Sequence, residues 1–181
     1  MIQETTHGYF SFNDVIEDGE RALDAGLYRI ALMLALIIPS VCSRIEFKNN
    51  PKYRDENGYW KDRLCYVDWC LQQNIKFIDA ENQHSENCFT STEEYYDHIY
   101  DIRCSSVHES AIKCNDIVCN LCVNQHGLVC QAVDCNRVNQ YDICVIPFCR
   151  QMFAIGKQYY NNHKNEFDLS RIPMKMYDLG I

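Results

Sequence analysis

The sequence predicts a mainly helical protein of one domain, with a small antiparallel β-hairpin inserted before its last helix. Apolar residues recur at helical spacing in several segments. Ser91-Thr-Glu-Glu94 has the form of a capping box that opens a helix. β-Branched residues are concentrated after Cys114, where the helical period is lost. A chain of 181 residues can bury one core without metals or disulfides, so we expect a single domain over 1–181.

Two helices are predicted in the first quarter of the chain. Residues 12–25 form the first, with Ser11 or Asn13 as its cap and acidic residues in its first turn. Residues 27 to about 46 form a strongly apolar helix, which we place at the centre of the core and expect Pro39 to bend. A third helix follows, and its predicted buried stripe is Trp60, Leu64, Val67 and Leu71.

The capping box predicts a fourth helix that begins at Ser91. One side of this helix carries Tyr95, Ile99 and Ile102, and the helix presents Arg103 and His108 near its end. The helical part of the domain therefore covers about 12–113.

The predicted β-hairpin occupies about 117–146. Its two strands are 117–123 and 127–133, joined by the turn Asn124-Gln-His-Gly127, with a third strand at 141–146. Pro147 suits the first turn of a last helix over about 147–163. The stripe of that helix is Phe148, Met152, Ile155 and Tyr159. From Asn165 onward we expect an irregular tail.

Charge and composition exclude several classes of function. A net charge of −8 disfavours non-specific wrapping of nucleic acid, although a small basic cleft remains compatible with it. The first residues lack the positive flank and apolar core of a signal peptide, and the uninterrupted apolar run 30–38 is too short to span a bilayer. We expect a cytoplasmic protein without a membrane segment, whose twelve cysteines are free thiols.

Arg103 and His108 are the most chemically pointed residues of the sequence. Histidine titrates near neutral pH, so it can accept a proton from a ribose 2′-hydroxyl or donate one to a leaving oxygen. Arginine keeps its charge and can neutralise negative charge on a phosphorane. Five helical residues separate two side chains by roughly 140° and about 7.5 Å along the axis. The pair is therefore productive if the helix ends or distorts between them, or if a second copy faces it across a two-fold axis.

The segment Tyr100-Asp-Ile-Arg-Cys-Ser-Ser-Val-His-Glu109, late in a helical domain, resembles the Arg-x4–6-His signature of the HEPN superfamily. The resemblance implies a HEPN-like helical bundle and a metal-independent endoribonuclease of a toxin–antitoxin or antiphage defence system, without a cofactor. It implies RNA, a second copy of the chain and an antitoxin or nucleotidyltransferase as partners. Arg103 would stabilise charge, and His108 would act as acid and base. The RNA-contacting residues would be Tyr100, Ser105 and Glu109.

This segment departs from the family pattern at two positions. Cys104 stands where active members commonly have a polar residue directly after the arginine, and Ser110 replaces a tyrosine that some members have two positions after the histidine. A catalytically inactive HEPN-like module that binds RNA or protein, or dimerises, is therefore an alternative function. A purely structural Arg103, paired with Asp101 or Glu109 or capping the helix, is another.

The cysteines suggest two further hypotheses. Cys119 and Cys122 have the spacing of a zinc knuckle, although a second such pair is missing. The other candidate ligands nearby are Cys114, His126, Cys130, Cys135, Cys144 and Cys149. Cys104, four residues before His108, has the spacing of a thiol nucleophile beside its base, although buried packing is the more common role.

Overall fold

The structure is a computed structural model that describes residues 3–75, 91–108, 113–114, 117–122, 140–168 and 172–178; side chains are described for 11–75, 91–105 and 145–167. The predicted mainly helical class is confirmed. The helices are α1 (Phe12–Asp24), α2 (Tyr28–Glu46), α3 (Asp62–Gln72), α4 (Thr92–His108), α5 (Val145–Asn162) and α6 (Lys164–Asp168). The strands are β1 (Gln3–Phe10), β2 (Lys113–Cys114), β3 (Ile117–Cys122), β4 (Gln140–Cys144) and β5 (Ile172–Asp178).

Helix α1 begins with a complete capping box. The Ser11 Oγ accepts a hydrogen bond from the backbone N–H of Asp14 at 3.2 Å, and the Asp14 carboxylate accepts one from the Ser11 N–H at 2.7 Å. Two amide groups that a helix start leaves open are thereby satisfied. Of the two predicted caps, Ser11 and Asn13, the structure therefore has Ser11.

Helix α2 is the centre of the bundle, as predicted, because it packs against α1, α3, α4 and α5. Its inner face is formed by Ala31, Leu32, Ala35, Leu36 and Ile38, all buried. Pro39 lies inside the helix, which continues to Glu46. By length and apolar composition α2 is also sufficient for one bilayer crossing, as are core helices of soluble proteins, and half of its most apolar window is buried in the structure. The absence of a membrane segment therefore stays a prediction.

The predicted stripe of α3 is wrong in part. Trp60 precedes the helix, and Leu71 is 37% exposed; of the four predicted residues only Val67 is buried. The buried face consists of Cys65, Tyr66, Val67, Trp69 and Cys70. Because α3 packs against both α2 and α4, its buried face is wider than one stripe and is formed mostly by aromatic and thiol side chains.

Helices α4 and α5 confirm their predicted inner faces. The Ser91 Oγ accepts a hydrogen bond from the Glu94 N–H at 3.1 Å at the start of α4. The buried residues of α4 are Tyr95, Tyr96, Ile99 and Ile102. Helix α5 begins two residues before Pro147, which lies in its first turn as expected. Among its buried residues are Phe148, Met152 and Tyr159, whereas Ile155 is half-buried.

The predicted β-hairpin is not confirmed, because its turn and its second strand, 127–133, lie outside the described residues. Strand β3 agrees with the first predicted strand. Strand β4 ends at Cys144, so the third predicted strand is shorter than expected and α5 begins at Val145. Strand β3 pairs antiparallel with β2 and parallel with β4. A parallel pair needs a long connection, and residue alternation alone cannot distinguish it from a hairpin.

The prediction of an irregular tail is wrong. Helix α6 follows α5, and β5 pairs antiparallel with β1, so that Phe10 is opposite Ile172. Strand β1 was not predicted, since its residues are mostly polar and show no alternation. Its pairing partner lies at the far end of the sequence, and no local pattern reveals such a pairing.

Helices α1 and α5 approach each other closely at Gly19. A Cβ at Gly19 would overlap the tip of the Phe153 ring, which is itself buried. Alanine normally favours a helix over glycine, but here we expect Gly19→Ala to lower the free energy of unfolding by about 1 to 3 kcal/mol. Urea denaturation would measure this change. In a Phe153→Leu background, which removes the ring tip, the same substitution should cost less; an equal cost in both backgrounds would contradict the steric explanation.

Candidate functional site

Arg103 and His108 both lie on α4, which is helical without interruption from Thr92 to His108. The predicted separation of roughly 140° and about 7.5 Å along the axis therefore applies to this pair. The helix neither ends nor changes type between the two residues. The side chain of His108, like all of Glu109, lies outside the described part of the structure. Within one chain, the continuous helix therefore does not bring the two residues to a common face.

The guanidinium of Arg103 is held against its own chain. Its side chain is 18% exposed, and its Nη1 lies 3.6 Å from the Oδ2 of Asp62. The same nitrogen donates to the Sγ of Cys104 at 3.7 Å, and Cζ lies 5.6 Å from the centre of the Tyr100 ring. The structural alternative placed Arg103 against Asp101 or Glu109; the described partner is Asp62, which comes from α3. At 3.6 Å this contact is an ion pair without a good hydrogen bond.

Asp62 connects three helices. Its Oδ1 lies 3.2 Å from the Nη2 of Arg44 on α2, and its Oδ2 accepts a long hydrogen bond of 3.5 Å from the Tyr100 hydroxyl on α4. Asp62 is also the first residue of α3, where the helix dipole favours a carboxylate. We call Arg44, Asp62, Tyr100 and Arg103 the Asp62 cluster. Through it, the position of Arg103 depends on residues from α2 and α3.

Arg103 and Tyr100 of the Asp62 cluster are in protonation states that allow them to donate hydrogen bonds to an anion. Burial lowers the pKa of Arg103, but its contacts with Cys104 and Asp62 outweigh this and leave the pKa above its ordinary value. Burial, followed by contacts with Cys104 and Asp62, raises the pKa of Tyr100 to about 12. At neutral pH, Arg103 is therefore a cation and the Tyr100 hydroxyl keeps its proton.

Arg63 fixes α3 against α4 beside this cluster. Its guanidinium donates to Asp97 at 2.7 Å and to Asp101, and its Cζ lies 5.0 Å from the centre of the Tyr100 ring. Two hydrogen bonds from one planar guanidinium hold the two helices in a defined register. The register in turn determines where Tyr100 and Arg103 stand relative to Asp62.

Two buried polar atoms near Arg103 have no hydrogen-bond partner among the described residues: the Nε of Arg103 and the hydroxyl of Tyr66. The Tyr66 ring, fully buried, meets the Tyr100 ring edge-on at 5.3 Å between centroids. A buried donor without an acceptor is costly. The donors of Arg103 are therefore not all used by the described part of the chain.

The remaining predicted RNA-contacting residues differ in their surroundings. Tyr100 is half-buried and belongs to the Asp62 cluster. The Ser105 hydroxyl donates to the backbone carbonyl of Asp101 at 3.0 Å, one helical turn back. Tyr95 and Tyr96, on the same helix, are buried and belong to the core.

An open groove of about 660 Å³ lies between the N-terminal parts of α3 and α4. Its lining includes the carboxylates of Asp62, Glu93, Glu94 and Asp97, against two cations, Lys61 and Arg63. Because this balance is negative, the groove disfavours a phosphate backbone.

The cysteine hypotheses receive little support. The described cysteines are free thiols, as predicted: Cys42, Cys65, Cys70 and Cys149 are buried, and Cys104 is half-buried. Among the described side chains no group of three or more Cys, His, Asp and Glu could hold a metal. Cys119 and Cys122 lie on β3, but their side chains lie outside the described part, so the zinc site stays a prediction. The same holds for Cys104 as a nucleophile, since it depends on His108.

Sequence reasoning missed the residues that hold Arg103. Asp62, which pairs with Arg103, and Arg44, which pairs with Asp62, are far from Arg103 in the sequence, and no local motif links them to it; only the packing of α2, α3 and α4 brings them together. No protein-family model, curated protein or solved structure matches this chain at a significant level. The HEPN resemblance therefore depends on the segment 100–109 and its helical context.

Proposed function

We propose that this chain is a HEPN-like, metal-independent endoribonuclease, acting in the cytoplasm as a homodimer within a toxin–antitoxin or antiphage defence system. The observation that supports it best is the position of Arg103 and His108 on the last turns of one helix of a helical bundle, with Arg103 charged and partly exposed. Arg103 is not part of the core face of α4, which Tyr95, Tyr96, Ile99 and Ile102 form.

The proposed reaction transfers protons without a metal. His108 accepts the proton of a ribose 2′-hydroxyl, and the 2′-oxygen attacks the adjacent phosphorus. The bond from phosphorus to the 5′-oxygen breaks, and that oxygen receives a proton from His108, which acts as acid as well as base. Arg103 stabilises the additional negative charge at the phosphorus. The products are a 2′,3′-cyclic phosphate and a 5′-hydroxyl.

The continuous helix makes the dimer part of this proposal. Since roughly 140° separate Arg103 from His108 around α4, one chain would not place both on the same phosphate. A two-fold axis beside the end of α4 would bring Arg103 of one protomer near His108 of its partner. The composite site would then contain residues of both copies.

The proposal is tested by incubating the protein with a mixed pool of single-stranded RNA in excess EDTA. We expect cleavage that persists in EDTA and leaves 2′,3′-cyclic phosphate ends. Such ends are recognised because the RNA fragments can be labelled at that end only after the cyclic phosphate has been removed. RNA with methylated 2′-hydroxyls should remain intact, because the attacking group is blocked. Cleavage that needs a divalent metal, or products with a 3′-hydroxyl, would contradict the proposed chemistry.

The catalytically inactive module is the second candidate, and the ion pair between Arg103 and Asp62 favours it. An arginine that is 18% exposed and paired within its own chain is less available to a phosphate than a free one. This candidate predicts binding of RNA, or of a partner protein, without cleavage and without dependence on Arg103 or His108.

A further inference from the structure

We propose that Asp62 is a positioning residue for Arg103: it holds the guanidinium in place and at the same time limits how strongly Arg103 attracts a phosphodiester. This inference rests on the proposed function, since it assigns a role to Asp62 at the same site. It identifies a residue outside the Arg-x4-His motif, on a different helix, as part of the machinery.

The two carboxylate oxygens of Asp62 have different partners. Oδ1 lies 3.2 Å from Arg44, which anchors the carboxylate from α2. Oδ2 lies 3.6 Å from Arg103 and 3.5 Å from the Tyr100 hydroxyl. Asp62 is 24% exposed and Arg103 18%, so solvent screens this pair less than a pair on the open surface. One carboxylate oxygen of Asp62 is thus held by Arg44, and the other restrains the guanidinium of Arg103.

The length of the contact explains why Arg103 can still serve a second anion. A forked arginine–carboxylate pair uses two short hydrogen bonds, typically below 3 Å. Here the nearest oxygen is 3.6 Å from Nη1. Asp62 therefore restrains the guanidinium through charge without occupying its Nη donors in short hydrogen bonds, and these donors remain for a phosphate oxygen. The Nε is buried and does not face solvent.

Two effects of opposite sign follow. The negative charge of Asp62 offsets the positive charge of Arg103, which weakens the attraction of the ground-state phosphodiester. The same contact keeps the guanidinium in one orientation, and loss of orientation at a reacting centre reduces the rate of the chemical step. Removing only the charge, with Asp62→Asn, should therefore lower KM and kcat together. A residue with a merely structural role would not lower KM.

The kinetic test compares Asp62→Asn with Asp62→Glu and with Asp68→Asn. Asp68 is a carboxylate on the same helix that is 18% exposed, binds Lys52 and Tyr53, and lies outside the Asp62 cluster, so it is the matched control. We expect Asp62→Asn to lower kcat about 10- to 100-fold and KM a few-fold, Asp62→Glu to recover part of kcat, and Asp68→Asn to leave both within about twofold. Unchanged KM, or equal effects of Asp62→Asn and Asp68→Asn, would overturn the inference.

A second measurement tests the positioning role of Asp62 even if the chain cleaves no RNA. The Nε–Hε signal of Arg103, assigned by its loss in Arg103→Lys, should be distinct in nitrogen–proton correlation spectra because this N–H is buried. In Asp62→Asn it should move toward the signals of exposed arginines, whereas an unchanged signal would overturn the inference.

Binding of 2′-O-methylated RNA, followed by fluorescence anisotropy, should become tighter in Asp62→Asn and not in the Asp62→Asn, Arg103→Lys double variant. Absence of cleavage with these outcomes would refute only the ribonuclease proposal.

Discussion

Replacing Arg103 or His108 by alanine is expected to reduce RNA cleavage by about 10²- to 10⁴-fold. In the proposed mechanism, Arg103→Ala removes the charge that stabilises the phosphorane, and His108→Ala removes the group that transfers protons. Both effects should appear in kcat, measured on a fluorescent RNA in EDTA. The matched controls are Arg21→Ala, an exposed arginine with partners on its own helix, and His163→Ala, which pairs with Glu166; both should keep cleavage within about twofold.

The two substitutions also test whether the site is shared between protomers. Each variant alone should be inactive, but a dimer that contains one of each keeps an intact Arg103 and an intact His108. If these residues meet across the two-fold axis, random re-association of equal amounts should restore about a quarter of the wild-type rate. No recovery, with exchange of subunits verified by mass, would be evidence against the composite site. Wild-type rates in either single variant would contradict the catalytic role of the replaced residue, whereas RNA binding without any cleavage by the wild-type protein would favour the inactive binding module.

Trp69→Ala is expected to cause the largest loss of stability, about 3 to 5 kcal/mol in the free energy of unfolding. Trp69 is fully buried and meets the Tyr159 ring edge-on at 5.6 Å between centroids, so its removal would leave a large cavity between α3 and α5. Urea denaturation followed by far-ultraviolet circular dichroism would measure the loss, since tryptophan fluorescence changes with the substitution itself.

Trp69→Phe provides the informative comparison for this prediction. It keeps an aromatic ring and removes the indole N–H, which has no hydrogen-bond partner among the described residues. Because an unpaired buried donor is itself unfavourable, we expect Trp69→Phe to cost clearly less than Trp69→Ala. Tyr59→Ala, at a residue that is 73% exposed, should change stability by less than about 0.5 kcal/mol. Equal losses for the alanine and phenylalanine variants would show that ring packing against Tyr159 contributes little.

Local signals explain which parts of the fold could be predicted from sequence. The serine caps at Ser11 and Ser91 and the apolar spacing of α2, α4 and α5 are properties of neighbouring residues, and the structure confirms them. The buried face of α3 was misassigned because α3 contacts helices on two sides. The pairing of β1 with β5 was missed because it joins segments from opposite ends of the sequence.

The candidate site shows the same division. Arg103 and His108 could be selected because they lie in one short segment and have chemistry suited to a phosphodiester. Asp62 and Arg44 could not, since their relation to Arg103 exists only after α2 and α3 have packed against α4. A carboxylate at the start of a helix is common, and nothing in the local sequence distinguishes Asp62 from the other acidic residues.

The central place of α2 has a consequence for hydrogen exchange. Because α2 packs against α1, α3, α4 and α5, its inner amides can exchange only when several helix interfaces open together, and we associate them with global unfolding. Arg44, which anchors Asp62, lies in the last turn of this helix. Its amide is therefore expected to exchange through fraying of the helix end, independently of the inner amides.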